Sequence, residues 1–146
     1  MNGQPHHLQE PFEVSREAIR DFARAVFADD PVHVDVAAAQ SAGHRDLVAP
    51  ATFASALALR FSQPVRRDPG LGLDLTRMVH GGQTSVLHGS LCAGDRLAAE
   101  TRIVELRAAG RHVRIQTVTA MRALNGPFEA TITHTCLILN AAGDLT

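Results

Sequence analysis

Hydrophobic and polar positions follow three different rhythms along this chain, and each predicts a different element. Between residues 16 and 27, Ile19, Phe22, Ala23 and Val26 recur at helical spacing on one face while Arg16, Arg20 and Arg24 fall on another. Ser15 suits the N-cap and Glu17 places an acid in the first turn, so the spacing predicts a surface helix over 16–27. From Leu47 to Phe61 the polarity changes, with no charge in the second half of the run until Arg60. Pro50 suits the first turn and strong helix formers follow from Ala51, which predicts a helix apolar nearly all round that must be covered on most sides. At this length it is too short to span a bilayer, so its cover is protein.

The third rhythm has period two. Val113, Ile115, Thr117, Thr119 and Met121 alternate with Arg114, Gln116, Val118, Ala120 and Arg122, the pattern of a strand with one wetter face. Comparable strands are predicted over 78–88, 96–106 and 128–139, the last carrying Ala130, Ile132, His134, Cys136 and Ile138 on one face. Gly81-Gly82 marks a bulge or an entry loop, and turns are predicted at 90–95, at 108–110 and at the hairpin signal Asn125-Gly126. Between the two helices, Pro31 stops the first, and Asp35 caps a short helix over 36–42 that ends at Gly43. Residues 63–72, with two prolines and two glycines, read as a long mobile or ligand-binding loop. A helix-rich half followed by an antiparallel meander predicts an α+β fold in one domain over 12–141, between a flexible N-terminus over 1–11 and a tail over 142–146.

Composition narrows the function. With 45% hydrophobic and 20% charged residues the 146-residue chain is an ordinary globule able to bury a core unaided. A net charge of -1 with mixed signs gives no electrostatic case for nucleic acid or a membrane surface. Cys92 and Cys136 are isolated within apparent strands, which fits a reducing cytoplasm better than a disulfide framework. The first ten residues have no apolar core, so no signal peptide is expected.

Among candidate chemistries, a fixed general base at His33 stands out. It follows a helix in a loop stiffened by proline, and an imidazole titrates near neutrality. On spacing alone a loop histidine bonded to backbone remains the simpler alternative. His6-His7, His80 and His88 lack the companions of a metal site, and no metal is expected. His134 reads as a satisfied core histidine. Gly70-Leu71-Gly72 and Gly81-Gly82 lack the strand–turn–helix context of a nucleotide loop, and neither cysteine has the setting of an activated nucleophile.

Phe22-Ala23-Arg24-Ala25 leading into Asp30-Pro31-Val32-His33-Val34-Asp35, then Ala37-Ala38 and Leu47-Val48-Ala49-Pro50, resembles the MaoC-like family of hot-dog proteins. Val86-Leu87-His88-Gly89-Ser90-Leu91-Cys92-Ala93-Gly94-Asp95-Arg96-Leu97 resembles the strand and turn that follow the central helix there, and Phe12 to Arg20 brings the chain closest to the N-terminal-type half. The resemblance covers about residues 12 to 140. It implies a hot-dog fold, an antiparallel sheet of about five strands wrapped around a central apolar helix. It also implies (R)-specific enoyl-thioester hydratase or 3-hydroxyacyl-thioester dehydratase chemistry on acyl-CoA or acyl-ACP, without a cofactor, in a homodimer or a heterodimer with a second hot-dog subunit.

The family's hydratase signature runs Gly-Asp-x-Asn-Pro-aliphatic-His, and Pro31, Val32 and His33 match it. Asp30 takes the asparagine place, Phe27 the glycine place and Ala28 the place of the catalytic aspartate. Alanine cannot hold water or move a proton, so the acid–base pair is half missing unless Asp29, one residue along, substitutes. The family's oxyanion site, a backbone N–H at the start of the central helix, falls by position on Ala51, with Thr52 following; helix capping is an equal alternative for Thr52. Arg66 and Arg67 could meet carrier phosphates from their loop, or be no more than a solvated charge run. The reading favoured is the acid-deficient subunit of a dehydratase or hydratase. Its alternative is a non-catalytic thioester-binding or structural hot-dog protein. A thioesterase is disfavoured because Ala51 to Ser62 carries no carboxylate.

Overall fold

A computed structural model describes residues 4–141. Four long strands, β3 (Met78–His88), β4 (Arg96–Ala109), β5 (His112–Ala123) and β6 (Glu129–Ile138), form an antiparallel sheet. Two short ones, β1 (His6–His7) and β2 (Phe12–Glu13), both pair with β4. The order β1-β4-β5-β6-β3 leaves β3 at an edge, and the sheet has six strands where about five were expected. The expectation of a flexible end over 1–11 is corrected at His6 and His7, which sit opposite Thr101 and Glu100 in the ladder. The tail over 142–146 lies outside the described residues.

The period-two pattern of β5 is realised residue by residue, with Val113, Ile115, Thr117, Thr119 and Met121 buried on one face. The matching face of β6 is Ala130, Ile132, His134, Cys136 and Ile138. Gly81 falls in a register shift between His80 and Gly82, the bulge its sequence announced. The Asn125-Gly126 hairpin is broader than a two-residue turn, since pairing ends at Arg122 opposite Glu129. Asn125 explains the loop: its side chain accepts from the Arg96 N–H at 2.9 Å and donates to the Gly94 carbonyl at 2.9 Å. Gly126 is needed for room beside the ion pair between Arg45 and the buried Asp95.

Helix α1 (Arg16–Ala25) is capped by Ser15, whose hydroxyl accepts from the Ala18 N–H at 3.1 Å, and α2 (Val36–Ser41) by Asp35, which accepts from Ala37. The central helix α3 (Phe53–Phe61) crosses the sheet's inner face and buries Phe53, Ala54, Leu57, Ala58 and Phe61. Phe12 meets Phe61, and Phe22 meets Phe53, both edge to face. Cover is one-sided, however. Thr52, Ala56, Leu59 and Arg60 are exposed, because the sheet and α1 pack against only part of the helix circumference.

The expected loop over 63–72 is instead structured, with α4 (Gln63–Arg66) continuing from α3 and a 3-10 turn at Pro69–Leu71. Pro64 favours this because it stands in the first turn of α4, where its missing N–H is not needed.

Candidate functional site

The histidine loop begins where α1 is stopped. The Ala28 N–H reaches the Ala23 carbonyl at 2.9 Å and the Phe27 N–H reaches Arg24 at 3.3 Å, closing the helix with Phe27 at φ 57°. Glycine ordinarily fills that left-handed position, so the phenyl group is held there under backbone strain, and it is 91% exposed. Asp30 then caps a 3-10 turn over Pro31–His33, its carboxylate accepting from the Val32 N–H at 3.0 Å.

A second segment clamps this turn from below. The Val48 N–H donates to the Val32 carbonyl at 3.0 Å, and His33 Nδ1 lies 2.6 Å from the Val48 carbonyl. A carbonyl only accepts, so Nδ1 carries a proton, which leaves Nε2 as the ring nitrogen that can act as a general base. The clamp is itself fixed to the fold. Ala49 donates to Leu91 at 2.8 Å, Ala93 donates to Leu47 at 2.9 Å, and Arg16 pairs with Asp46 at 2.7 Å. The Arg16 bond holds the Asp46 carboxyl below its ordinary pKa.

His33 is thereby tethered to Val48, five residues before the start of α3. There Ala51 and Thr52 form an exposed turn. Among the described residues no group engages the N–H of either residue, and Thr52 makes no side-chain cap. The capping alternative for Thr52 is therefore corrected: its own backbone already has helical angles, which turn the hydroxyl away from the cap geometry. Two free N–H groups at a helix start can receive an oxyanion or a polarised carbonyl.

The acid is not assembled with the base. Ala28, the residue aligned with the signature's aspartate, is half-buried, and Asp29 is exposed with no hydrogen bond or ion pair to His33 among the described residues. Arg67 is exposed. Arg66 is 5% exposed, which corrects its expected role as a mobile phosphate contact: α4 turns it inward, where Nε donates to Ser62 Oγ at 3.1 Å and Nη2 to the Leu59 carbonyl at 2.8 Å. Its Nη1 lies 3.4 Å from Met78 Sδ. His134 is also corrected. It is buried at 3% exposure, but its Nδ1 has no partner, so it is not a satisfied core histidine. Burial, then His80, then Arg66 push its pKa down to about 4, leaving it neutral. His80 stacks edge-on against it at 5.6 Å.

No group of three or more His, Cys, Asp or Glu able to hold a metal occurs among the described residues. No helix of the described residues is long and apolar enough to cross a membrane. A cavity of about 660 Å³ lies on the opposite face of the sheet, bordered by His7, Val86, His88, Glu100, Arg122 and Glu129. It touches neither His33 nor the start of α3, so it is separate from this site.

An antiparallel sheet packed on one central helix, with a clamped loop histidine near the head of that helix, defines a MaoC-like hot-dog protein. More narrowly, the chain belongs to the family described as FAS1-like, dehydratase domain region, whose pattern matches residues 2–126. Similar proteins include the UPF0336 protein of Leifsonia xyli subsp. xyli, 36% identical over 128 residues, 88% of this chain and 86% of that one. A UPF0336 protein of Parafrankia sp. is 40% identical over 129 residues, again 88% of this chain and 85% of the relative. Among solved structures, a MaoC-like dehydratase superposes with TM-score 0.84 at 27% identity over 95% of this chain, which spans 42% of that longer one. The C-terminally truncated HadBC complex of Mycobacterium tuberculosis, a 3R-hydroxyacyl-ACP dehydratase, superposes with TM-score 0.78 at 29% identity, covering 92% of this chain and 95% of its own.

Proposed function

We propose that this chain is the acid-deficient subunit of an (R)-specific 3-hydroxyacyl-thioester dehydratase or enoyl-thioester hydratase acting on CoA- or ACP-linked acyl chains. A second hot-dog subunit with an intact Asp/His pair carries out the chemistry. The observation that carries this reading is the split state of the site. The histidine is held by Val48, while the acid position of the signature holds Ala28 and the adjacent Asp29 makes no hydrogen bond or ion pair with His33 among the described residues. Hydration needs a proton moved at both the water and the α-carbon, and loss of one positioned partner lowers rates by about 100- to 10,000-fold. The thioester carbonyl would be received by the N–H groups of Ala51 and Thr52, with the Ala51 methyl group narrowing the approach where hydratases of the family carry glycine.

Edge-to-edge pairing through β3 supports a partner. The strand is unpaired on its outer side and exposes Val79 and Val86 at 42% and 49%. The HadBC dehydratase is likewise a complex. The test is the loss of conjugated enoyl absorbance when the purified chain alone meets crotonyl-CoA and a longer trans-2-enoyl thioester. Binding without turnover is expected. Turnover that vanishes in His33→Ala would show a self-sufficient hydratase and overturn the partner-dependent reading.

A further inference from the structure

The flank of α3 that faces the edge strand carries polar groups, and beyond its C-terminus lie two buried polar side chains whose bonding is incomplete. Thr52, Ser55, Leu59 and Ser62 follow one side of the helix at helical spacing, and the Ser55 hydroxyl meets the Ser85 hydroxyl of β3 at 2.8 Å. This line runs from the free N–H groups at Ala51 and Thr52 to the helix C-terminus, where Arg66 and His134 lie. Arg66 is a cation at 5% exposure with no carboxylate beside it. The ion pairs of the described residues do not include it, and its partners are a hydroxyl, a carbonyl and a thioether. The carboxyl end of α3 partly balances the charge, but a guanidinium has five N–H groups and three are used. His134 belongs to the same neighbourhood: its ring meets that of His80 on β3, two residues along the strand from Met78, which Arg66 Nη1 approaches at 3.4 Å, and its Nδ1 is unpartnered at 3% exposure. A buried cation and a buried ring nitrogen, both lacking a partner on one side, are the donors a carboxylate requires. The exposed edge strand lies against them, with His80 stacked edge-on against His134 and Gln83 paired directly opposite it.

We propose that Arg66 and His134 form a subsite for a carboxylate at the distal end of the acyl chain, so that the ligand is the thioester of a dicarboxylic acid. This rests on the thioester reading above and narrows its substrate class. From Ala51 to Ser62 the helix rises roughly 16 Å, a span covered by an extended chain of roughly a dozen carbons. A guanidinium takes a carboxylate through two parallel hydrogen bonds, whereas a methyl terminus would leave both buried groups unpaired.

The test compares the full-length chain's affinity for trans-2-dodecenoyl-CoA and for the CoA monothioester of trans-2-dodecenedioic acid, by titration calorimetry at pH 7. Tighter binding of the carboxylate-ended ligand by tenfold or more is expected, with that ratio collapsing toward one in Arg66→Met. Should Arg66→Met fail to fold, judged by its thermal melt, His134→Phe gives the same comparison. Equal affinities, or a preference for the methyl-ended ligand, overturn the subsite while leaving the thioester reading intact. A preference unchanged in the folded variants shows that the carboxylate binds elsewhere and also overturns it. Binding of neither ligand removes the thioester reading and the subsite with it.

Discussion

Phe27→Gly should make this protein more stable, although it deletes the largest side chain of its loop. Phe27 occupies the left-handed region at φ 57°, which disfavours residues with a Cβ by about 1–2 kcal/mol. Its ring is 91% exposed, so little apolar burial is lost with it. Glycine recovers the strain but enlarges the conformational freedom of the unfolded chain, a penalty of about 0.5–1 kcal/mol. The balance is a gain of about 0.5–1 kcal/mol, or a rise of about 1–4 °C in Tm for a domain of this size. Circular dichroism melts and urea titrations on parent and variant measure it, with Phe27→Asn expected between them because asparagine tolerates the left-handed region. A fall of more than about 2 °C would refute the reasoning. It would mean that the ring is packed, and a dependence of that fall on protein concentration would place the packing in an assembly.

Other substitutions have equally definite signs. In Gly126→Ala the new Cβ would stand 2.5 Å from Arg45 Nη2 and 3.0 Å from Asp95 Oδ1, prising the pair apart. Asp95 is fully buried, so a loss of about 1–3 kcal/mol is expected by urea unfolding. Asp30→Ala removes the cap of the turn that carries His33 and should cost about 1 kcal/mol, most of it restored in Asp30→Asn. Stability should also fall with acid. His134 titrates near 4 when folded against an ordinary 6.5, so between those values the unfolded chain binds the extra proton. The contribution is complete above about pH 6.5 and is lost as pH drops toward 4, at most about 3 kcal/mol. Urea midpoints at pH 7 and pH 4.5 should converge partly in His134→Asn, and an unchanged difference would show that other groups dominate.

The elements were legible wherever a local rhythm decides them. The alternation from Val113 to Arg122 alone determines which face of β5 is buried, and Ser15 and Asp35 cap the helices they precede. Residues 63–72 misled because two prolines and two glycines read as a loop, whereas Pro64 sits where a helix tolerates it. The apolar helix predicted from Ala51 read as covered on most sides, because one chain does not reveal how far its own sheet reaches. Within the candidate site, the sequence marked out His33 but not its supports. His33 stands out by position, but its tautomer is set by the carbonyl of Val48, fifteen residues away, and a backbone atom leaves no mark on residue type. Arg66 and His134 come together only through the pairing of β3 with β6 and the inward turn of α4, and no spacing in the sequence encodes that encounter.

The claim that matters most is that this subunit lacks an acid and little else. Hydration of crotonyl-CoA by the purified chain, measured side by side for the parent, His33→Ala and Ala28→Asp, addresses it directly. The account predicts a parent rate no higher than that of His33→Ala, and a rise of about 100-fold or more in Ala28→Asp as the missing proton-transfer partner is restored. A parent rate that His33→Ala abolishes, or a folded Ala28→Asp variant no faster than the parent, would contradict it.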